Sequence, residues 1–417
     1  MMSKIRAIAF YLPQYHPVPE NDEWWGRGFT EWRNVAKAKP LFPRHYQPHL
    51  PADLGFYDLR LPEVREAQAE LARQHGIHGF CYYHYWFNGR RILERPFNEV
   101  LESGKPDLPF CLCWANENWT RVWDGGEKDV LLGQNYSPED DRAHIRSLLP
   151  AFADKRYILV NGKPLFLVYR TGLLPDPKKT AEIWREEARK AGLDDLYLVR
   201  VESHGDTTDP TAIGFDASVE FAPFNGLTMR PEGKTRTGRL LAKIPFLKPA
   251  FAQQNIYEYQ RVARSMWQRP DSAYKRFHGV TPGWDNTARR KVNATILANP
   301  SPAVYKQWLT TSVTRTLGKF QGDERLVFIN AWNEWAEGNH LEPCAKWGYA
   351  YLEATHAALT STMPSKAPAQ PAATEAVTPQ REFFQRKTYW RLLTRFNEFR
   401  RLLGYVSLPC TTDWRQK

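Results

Sequence analysis

Eight runs of β-forming residues alternate with helical patterns between residues 5 and 361, and no other feature constrains the fold as strongly. The predicted strands lie near 5–12, 79–86, 110–116, 165–170, 196–202, 217–221, 278–284 and 326–332. The predicted helices lie near 63–75, 92–103, 138–152, 179–191, 255–268, 302–317 and 348–361. Strands separated by helices pair in parallel, and eight such units predict an α/β fold of the (β/α)8 TIM-barrel type with long loops.

A doubly wound sheet is the alternative that the same alternation allows. A sheet of that kind needs a glycine-rich phosphate loop after its first strand. The first predicted strand is followed by PQYHPVPENDEWWGRGFTEW, which lacks such a glycine pattern. The barrel is therefore the favoured prediction.

The chain is predicted to have three parts. Residues 1–361 hold the barrel, residues 362–380 form a linker rich in proline, alanine and threonine, and residues 381–417 form a basic amphipathic tail. Within the tail, residues 381–401 carry seven Arg or Lys against two Glu, with apolar side chains at helical spacing. Two interpretations stay open: a helix packed on the barrel, or a helix that makes peripheral membrane contact through 381–403.

Charge and cysteine content argue against several classes of protein. Much of the net charge of +11 is local to the tail, and the mildly basic remainder argues against nucleic-acid binding. The five cysteines lack the spacing of a disulfide framework or a zinc site, so we predict no metal and no cofactor, and a reducing compartment. With no signal peptide and no membrane-spanning run, we expect a cytoplasmic protein, peripheral to the inner membrane if the tail binds lipid.

The segment LVFINAWNEWAEGNHLEP (326–343) carries the strongest chemical signal. A β-rich run is followed by amides, indoles and two glutamates, Glu334 and Glu337. The two glutamates are predicted to be catalytic. Carboxylates three residues apart share a face only where the chain turns helically. Such a pair can supply the acid and the base or nucleophile of glycosidic-bond chemistry. The alternative is a helix cap with a surface salt bridge.

Aromatic and polar residues cluster at the ends of the other predicted strands, where barrel enzymes place their sites. Any single cluster has a structural alternative, and for His84 a satisfied core histidine is equally plausible. Glu117 is expected to face the same cavity as Glu334, and strand six carries Glu220. The predicted substrate-binding residues are Tyr11, Gln14, His16, Tyr83, His84, Tyr85, Trp86, Trp114, Asn116, Glu117, Trp119, Tyr169, Trp284, Asp285, Asn330 and Trp332.

From residue 5 to about 360 the sequence resembles the WbsX family, also described as glycoside hydrolase family 99-like proteins, which occur with bacterial O-antigen and capsule genes. The motifs that carry the resemblance are AFYLPQYHPVPENDEWWGRGFTEWRNV, YQPHLPADLGFYDLR, HGIHGFCYYHYWFNGRRILERP, PFCLCWANENWTRVWDG, GKPLFLVYR, GWDNTARR and NAWNEWAEGNHLEP.

The resemblance implies a TIM barrel and a mechanism. Its more distant characterised relatives are retaining, endo-acting enzymes on α-mannosides with a Glu-Trp-His-Glu segment. In them the first glutamate deprotonates the sugar 2-hydroxyl, which attacks the anomeric carbon to give a 1,2-anhydro sugar, and the second is the acid/base. Carried over, Glu334 is the base and Glu337 the acid/base, so we expect Glu337 to hold a proton while Glu334 is ionised. This chain departs from the pattern at Ala336, which puts the contacts of that histidine, and hence the sugar, in doubt.

The predicted function is a carbohydrate-active enzyme that cleaves or transfers glycosidic bonds in a bacterial surface polysaccharide, with an oligosaccharide or polysaccharide partner. Hydrolase, transglycosylase and transferase stay open. One alternative is a nucleotide-sugar glycosyltransferase, although neither a nucleotide-binding glycine loop nor an Asp-x-Asp motif after a strand is apparent. The other is a catalytically silent glycan-binding barrel.

Overall fold

The computed structural model describes residues 5–121 and 126–361. The predicted linker, 362–380, and the predicted tail, 381–417, lie outside the described residues. Both predictions about them therefore stay predictions. Among the described residues, every helix is too short or too polar to cross a membrane.

Eight parallel strands close into a barrel, which confirms the predicted TIM-barrel fold. In chain order, β1 to β8 are Arg6–Tyr11, Ile77–Phe87, Phe110–Trp114, Lys163–Val168, Tyr197–Glu202, Ala217–Glu220, Arg276–Val280 and Leu326–Ile329. Each strand pairs with the next, and β8 returns to pair with β1 in the register Ala7 to Val327. The strands read as nearly continuous apolar runs because a parallel sheet is buried on both faces.

In the part of the chain that the structure describes, seven longer helices follow the strands, close to the predicted positions. They are Pro62–Gln74, Arg95–Ser103, Pro138–Phe152, Pro177–Lys190, Tyr259–Trp267, Pro302–Lys319 and Ala350–Thr360. Proline occupies the first turn of several of them, where its missing N–H removes no hydrogen bond.

The helix predicted at 255–268 begins too early. Residues Asn255–Glu258 form a strand that pairs in parallel with Thr295–Ala298, and the helix starts only at Tyr259. Ile256 and Tyr257 are buried in this strand. A β-branched and an aromatic residue favour an extended chain when a partner strand covers them, and that partner is distant in sequence.

The loop between β5 and β6 departs from the regular barrel, because a short 3-10 helix, Pro210–Ile213, stands where a crossover helix is usual. Buried Glu220, the last residue of β6, contacts Arg269 at 3.2 Å and Arg276 at 3.3 Å. Its carboxylate is occupied by these ion pairs and does not line the cavity described below. The suggestion that Glu220 belongs to the site is therefore wrong.

Long loops at the carboxyl ends of the strands build the rest of the structure. The loop after β1 holds the short helices Pro19–Trp25 and Trp32–Lys37, and the loop after β6 holds Arg236–Leu241 and Lys248–Phe251. Inside the barrel, Phe10 packs against Tyr83, Phe221 and Phe328, with ring centroids 5.6–6.1 Å apart. This aromatic layer forms the floor on which the loops build a cavity.

Candidate active site

A cavity of about 550 Å³ opens at the carboxyl ends of the barrel strands. Loops after seven of the eight strands contribute to its wall, and both Glu334 and Glu337 line it. Seven predicted substrate-binding residues also line the cavity, namely Gln14, Tyr83, Tyr85, Glu117, Trp119, Tyr169 and Trp284.

The two glutamates come together because the chain turns sharply after β8. Glu334 ends a two-residue strand, and the 3-10 helix Trp335–Glu337 follows at once. Gly338 closes the turn with a φ of +57°, and a Cβ there would lie 3.0 Å from the Cβ of Asp285. The backbone N–H of Asp285 donates to the Glu337 carbonyl at 2.6 Å. The predicted helical turn is confirmed.

One guanidinium holds three carboxylates in the cavity wall. Arg289 forms ion pairs with Glu334 at 2.7 Å and Glu337 at 2.9 Å, and it also contacts Glu31. Glu31 is further held by the side-chain amide of Gln14, which donates to it at 2.9 Å. Arg290 adds a second positive charge near Glu337, but two cations against three acidic groups still disfavour full ionisation of all three.

Burial sets the protonation of the pair. It raises the pKa of Glu334 well above its ordinary range and also raises the pKa of Glu337, while Arg289 opposes both shifts. Glu334 is the less exposed side chain, at 8% against 18% for Glu337. The pair thus retains a proton where exposed glutamates have lost it. Both pKa values move in the same direction, so the expectation that Glu337 rather than Glu334 holds the proton stays a prediction.

The first and last loops are joined directly behind the glutamates. The Asn333 side chain accepts from the Leu12 backbone N–H at 2.8 Å and donates to the Leu12 carbonyl at 3.0 Å. The backbone N–H of Trp335 donates to the Tyr15 hydroxyl at 3.0 Å. These bonds hold the segment that carries Glu334 against the end of β1.

A buried carboxyl group, Glu342, anchors the indole that lies between the two glutamates in sequence. It accepts hydrogen bonds from Trp335 at 2.6 Å, Gln68 at 2.6 Å and Tyr57 at 2.8 Å. Burial raises the pKa of Glu342 to about 7. Trp335 also stacks on His340 with ring centroids 3.7 Å apart, so its position is fixed on several sides.

The cavity walls are aromatic, and Glu117 stands among them. Trp119 packs edge-on against Tyr85 with ring centroids 5.4 Å apart, and Tyr169 packs edge-on against Phe221 at 5.1 Å. Glu117 pairs with Arg170 at 2.5 Å, which leaves its side chain 40% exposed. Aromatic faces pack against the apolar faces of sugar rings, and a partly exposed carboxylate accepts hydrogen bonds from hydroxyl groups.

The other nine predicted substrate-binding residues do not line the cavity. Four of them point outward from their strands into the layer between barrel and helices. His84 meets His144 at 2.9 Å, and the Trp86 indole donates to Asp140 at 3.0 Å. Trp114 packs against the same His144, and the Tyr11 hydroxyl donates to Gln68 at 2.7 Å. Side chains alternate along a strand, so only every second one faces the cavity.

The remaining five are buried under the loops, where they fix backbone or side chains. The Asn116 side chain accepts from the Arg170 backbone N–H at 2.8 Å, and the Asn330 side chain donates to the Ala222 carbonyl at 2.8 Å. Asp285 meets His45 at 2.5 Å. Trp332 packs against Phe80, and His16 is buried, which lowers its pKa to about 4. For these nine residues the expectation of direct sugar contact is therefore corrected to a supporting role.

Sequence reasoning missed two central residues, Glu31 and Arg289. Neither follows a strand directly: Glu31 lies 20 residues beyond β1, and Arg289 follows a 3-10 turn after β7. Both lie in motifs that carried the family resemblance, GRGFTEWRNV and GWDNTARR. The sequence signal that could have found both is that they are charged residues in long loops at the carboxyl end of the barrel. Among the described residues, no group of three or more His, Cys, Asp or Glu is arranged to hold a metal ion.

Fold and site together define a TIM-barrel protein with paired carboxylates in a cavity at the carboxyl ends of its strands. The chain belongs to the family described as Glycosyltransferase WbsX, whose model matches residues 7–355. WxcX of Xanthomonas campestris pv. campestris (strain B100), described as an uncharacterized protein, is 48% identical over 353 residues, which cover 85% of this chain and 49% of WxcX. The chain therefore spans about half the length of the curated relatives it matches.

Two solved structures show the same fold at low sequence identity. The GH99 endo-alpha-mannosidase from Bacteroides thetaiotaomicron, in complex with BIS-TRIS-propane, is 15% identical with a TM-score of 0.51, and the alignment covers 85% of this chain and 96% of that one. A glycoside hydrolase-like protein is 13% identical with a TM-score of 0.55, covering 86% and 95%. At these sequence identities the structural similarity shows the fold alone.

Proposed function

We propose that this protein makes or breaks glycosidic bonds with Glu334 and Glu337. The observation that carries the proposal is the geometry of the pair, since both carboxylates meet one guanidinium in an aromatic-walled cavity. A cavity at the carboxyl ends of barrel strands is the usual place for catalysis in this fold. Two carboxyl groups with raised pKa values suit proton transfer near neutral pH.

In the proposed mechanism, the first step forms a 1,2-anhydro sugar. Glu334 takes the proton of the sugar 2-hydroxyl, and the oxygen attacks the anomeric carbon as the glycosidic bond breaks. Glu337 gives its proton to the departing oxygen. In the second step Glu337 takes a proton from water or an acceptor hydroxyl, which attacks the same carbon and opens the anhydro ring, and Glu334 returns its proton to the 2-oxygen. Two inversions give net retention.

Arg289 would serve this sequence of steps as a positioning residue. Its contacts with Glu31, Glu334 and Glu337 hold both reacting carboxylates in place while each of them gains or loses its proton. A fixed cation beside a carboxylate also limits how far burial can raise its pKa. Each glutamate can therefore lose its proton in one step and regain it in the other.

The proposed substrate is a manno-configured sugar within a bacterial O-antigen or capsule polysaccharide. The sugar configuration rests on the family resemblance and on the endo-alpha-mannosidase of similar fold. Incubation with a panel of mannose- and rhamnose-containing oligosaccharides, followed by mass spectrometry, tests the proposal. New products with a retained anomeric configuration by proton NMR are expected. Tight calorimetric binding without any product would instead indicate a glycan-binding barrel.

Transfer to a sugar acceptor is the second candidate, because the family description names a glycosyltransferase. An enzyme that uses a nucleotide sugar should be stabilised by that donor through mass action. A thermal-shift screen with nucleoside diphosphate sugars separates the two candidates. A rise in Tm with one of these donors favours the nucleotide-dependent reaction, and no rise favours the anhydro-sugar route.

We further propose that the protein acts in the cytoplasm and that the predicted tail, 381–417, tethers the barrel peripherally to the inner membrane. The support is the sequence pattern alone, a +5 segment with aromatic residues at helical spacing. Deleting 381–417 should leave the barrel folded and reduce sedimentation with anionic liposomes at low salt. A truncated chain that fails to fold would mean that the tail is part of the core.

A further inference from the structure

The loop after β6 forms a small lobe with its own core, here called the basic lobe and comprising residues 228–252. Its helices, Arg236–Leu241 and Lys248–Phe251, pack against the two-stranded sheet of Asn255–Glu258 and Thr295–Ala298. The core that holds the lobe together is separate from the barrel core. It consists of Phe42, Leu241, Leu247, Ala250, Phe251, Ile256, Ile296 and Ala298.

The surface of the basic lobe is strongly cationic. It carries six exposed basic side chains against one carboxylate, which gives +5 within 25 residues. The basic residues are Arg230, Lys234, Arg236, Arg239, Lys243 and Lys248. The carboxylate, Glu232, is already paired with Arg261 at 2.9 Å. All six basic residues are exposed, so their charge faces solvent.

The same lobe exposes large apolar side chains. Phe246 and Leu240 are 65% and 63% exposed, the highest values among the large hydrophobic residues that the structure describes. Val292, 53% exposed, lies close by, because the next residue, Asn293, donates its backbone N–H to the Gln253 carbonyl at 2.7 Å. Single exposed apolar residues are common on proteins, but their concentration on one cationic lobe is not.

The basic lobe flanks the mouth of the cavity. Phe221 and Phe224, at the start of the loop that forms the lobe, line the cavity, and so do Asn293 and Thr295 of the segment that pairs with its end. The lobe therefore lies on the carboxyl-end face of the barrel, beside the candidate active site.

We propose that the basic lobe docks on an anionic lipid bilayer, with Phe246 and Leu240 entering the headgroup region. Basic side chains are attracted to anionic lipid, and apolar side chains gain by leaving water at the bilayer interface. A nucleic acid matches the charge but offers little to exposed Leu and Phe side chains, since protein contacts to it are mostly polar. Docking through this lobe would bring the cavity mouth close to the membrane surface.

Vesicle binding tests the proposal on the full chain. Partition to phosphatidylglycerol/phosphatidylcholine vesicles is compared for the wild type and the triple variant Arg239→Glu, Lys243→Glu, Phe246→Ser, at low and high salt. The matched control changes two lysines and one exposed leucine beside the amino ends of the strands, as Lys105→Glu, Lys155→Glu, Leu159→Ser. We expect at least a tenfold loss of binding in the lobe variant and less than twofold in the control.

Each other result overturns the proposal. If the wild type binds the anionic vesicles no more tightly than vesicles of pure phosphatidylcholine, anionic lipid has no role. A lobe variant that binds like the wild type shows that another segment, such as 381–417, makes the contact. Equal losses in both variants show a general charge effect. Tighter binding to duplex DNA than to the anionic vesicles at the same salt assigns the lobe to nucleic acid.

A second measurement reports insertion without depending on the triple variant. The four described cysteines are buried, so Phe246→Cys in a Cys410→Ser background offers one accessible described site for a polarity-sensitive dye. Its emission should shift to shorter wavelength on addition of anionic vesicles, while dye on Leu159→Cys in the same background should not shift. Unchanged emission at position 246 would contradict docking through the lobe.

Discussion

Arg289 determines how three acidic residues can coexist in the wall of one cavity. Its guanidinium contacts Glu31, Glu334 and Glu337. Burial lowers the pKa of Arg289, but the surrounding carboxylates, Glu31 foremost, outweigh burial and hold that pKa well above the usual range. Buried charges persist where partners compensate them. The residue therefore links the stability of the loops after β1, β7 and β8 to the chemistry of the site.

Replacing Arg289 with glutamine should destabilise the protein most at alkaline pH. Removing one partner from a buried ion cluster costs about 3–5 kcal/mol, because the remaining charges are left uncompensated. At low pH the carboxyl groups take up protons and the penalty shrinks. Urea unfolding at pH 8 and pH 5 measures the difference. The control, Arg261→Gln, removes an exposed guanidinium from its pair with Glu232, whose side chain is 15% exposed, and should cost at most about 1 kcal/mol at either pH.

The same loss at pH 5 and pH 8 for Arg289→Gln would show that the guanidinium acts through packing and not through charge.

Glu342 should give the wild type a specific pH dependence. Its pKa is raised from 4.5 to about 7 in the folded state, so the folded state binds more protons than the unfolded chain between these values. Stability must then fall as the pH rises from about 4.5 to about 7, by about 3 kcal/mol from this group. Glu342→Gln, which cannot ionise, should flatten the curve in that window. An unchanged slope in urea unfolding would contradict the assignment.

At the scale of elements, the turn after β8 shows how a short sequence sets the site. Glu334 precedes a single 3-10 turn and Glu337 is its last residue, and Gly338 follows in the left-handed region. The sequence allowed this turn to be predicted, because two glutamates three residues apart have one helical arrangement that brings them together. The strands were predictable too, since each is a nearly continuous apolar run. The helix assigned to 255–258 failed because the partner strand that covers Ile256 lies 40 residues away.

Gly338→Ala should strain that turn and displace Glu337. A Cβ would lie 3.0 Å from the Cβ of Asp285 and 3.2 Å from the His49 ring, in a backbone conformation that costs alanine on the order of 1 kcal/mol. We expect a lower Tm and at least a tenfold loss of activity. The matched control is Gly318→Ala in the helix Pro302–Lys319, where a Cβ meets nothing within 4 Å and should stabilise by about 0.5–1 kcal/mol. Equal behaviour of the two variants would contradict a specific role for the turn.

At the scale of the whole molecule, the barrel decides which residues of a motif reach the cavity. Tyr83 and Tyr85 line it, whereas His84 and Trp86 of the same strand point into the helix layer. The sequence predicts that side chains alternate between the two faces of this strand. Which alternate set faces the cavity depends on how the closed barrel is assembled. Residues that lie under loops, such as Asn330, depended on tertiary contacts for their placement.

The pairing of Glu31 with Arg289 joins residues 258 positions apart, and no local pattern in either loop indicates it. Eight strands must first close so that the loops after β1 and β7 meet the loop after β8. The carboxylate pair was therefore predictable from one segment, while the cation that holds it was not.

The central claim is that Glu334 and Glu337 carry out glycosidic-bond chemistry, and the rate of product formation from a cleaved oligosaccharide tests it most directly. Glu334→Gln and Glu337→Gln keep the size of the side chain and remove its ionisation. Both should fold with a Tm close to the wild type, because Arg289 keeps two of its three carboxylate partners in either variant. Both should lose at least about a hundredfold in rate, the scale of general acid–base catalysis. The exposed control, Glu66→Gln, should keep full activity. Wild-type rates in either cavity variant would contradict the assignment.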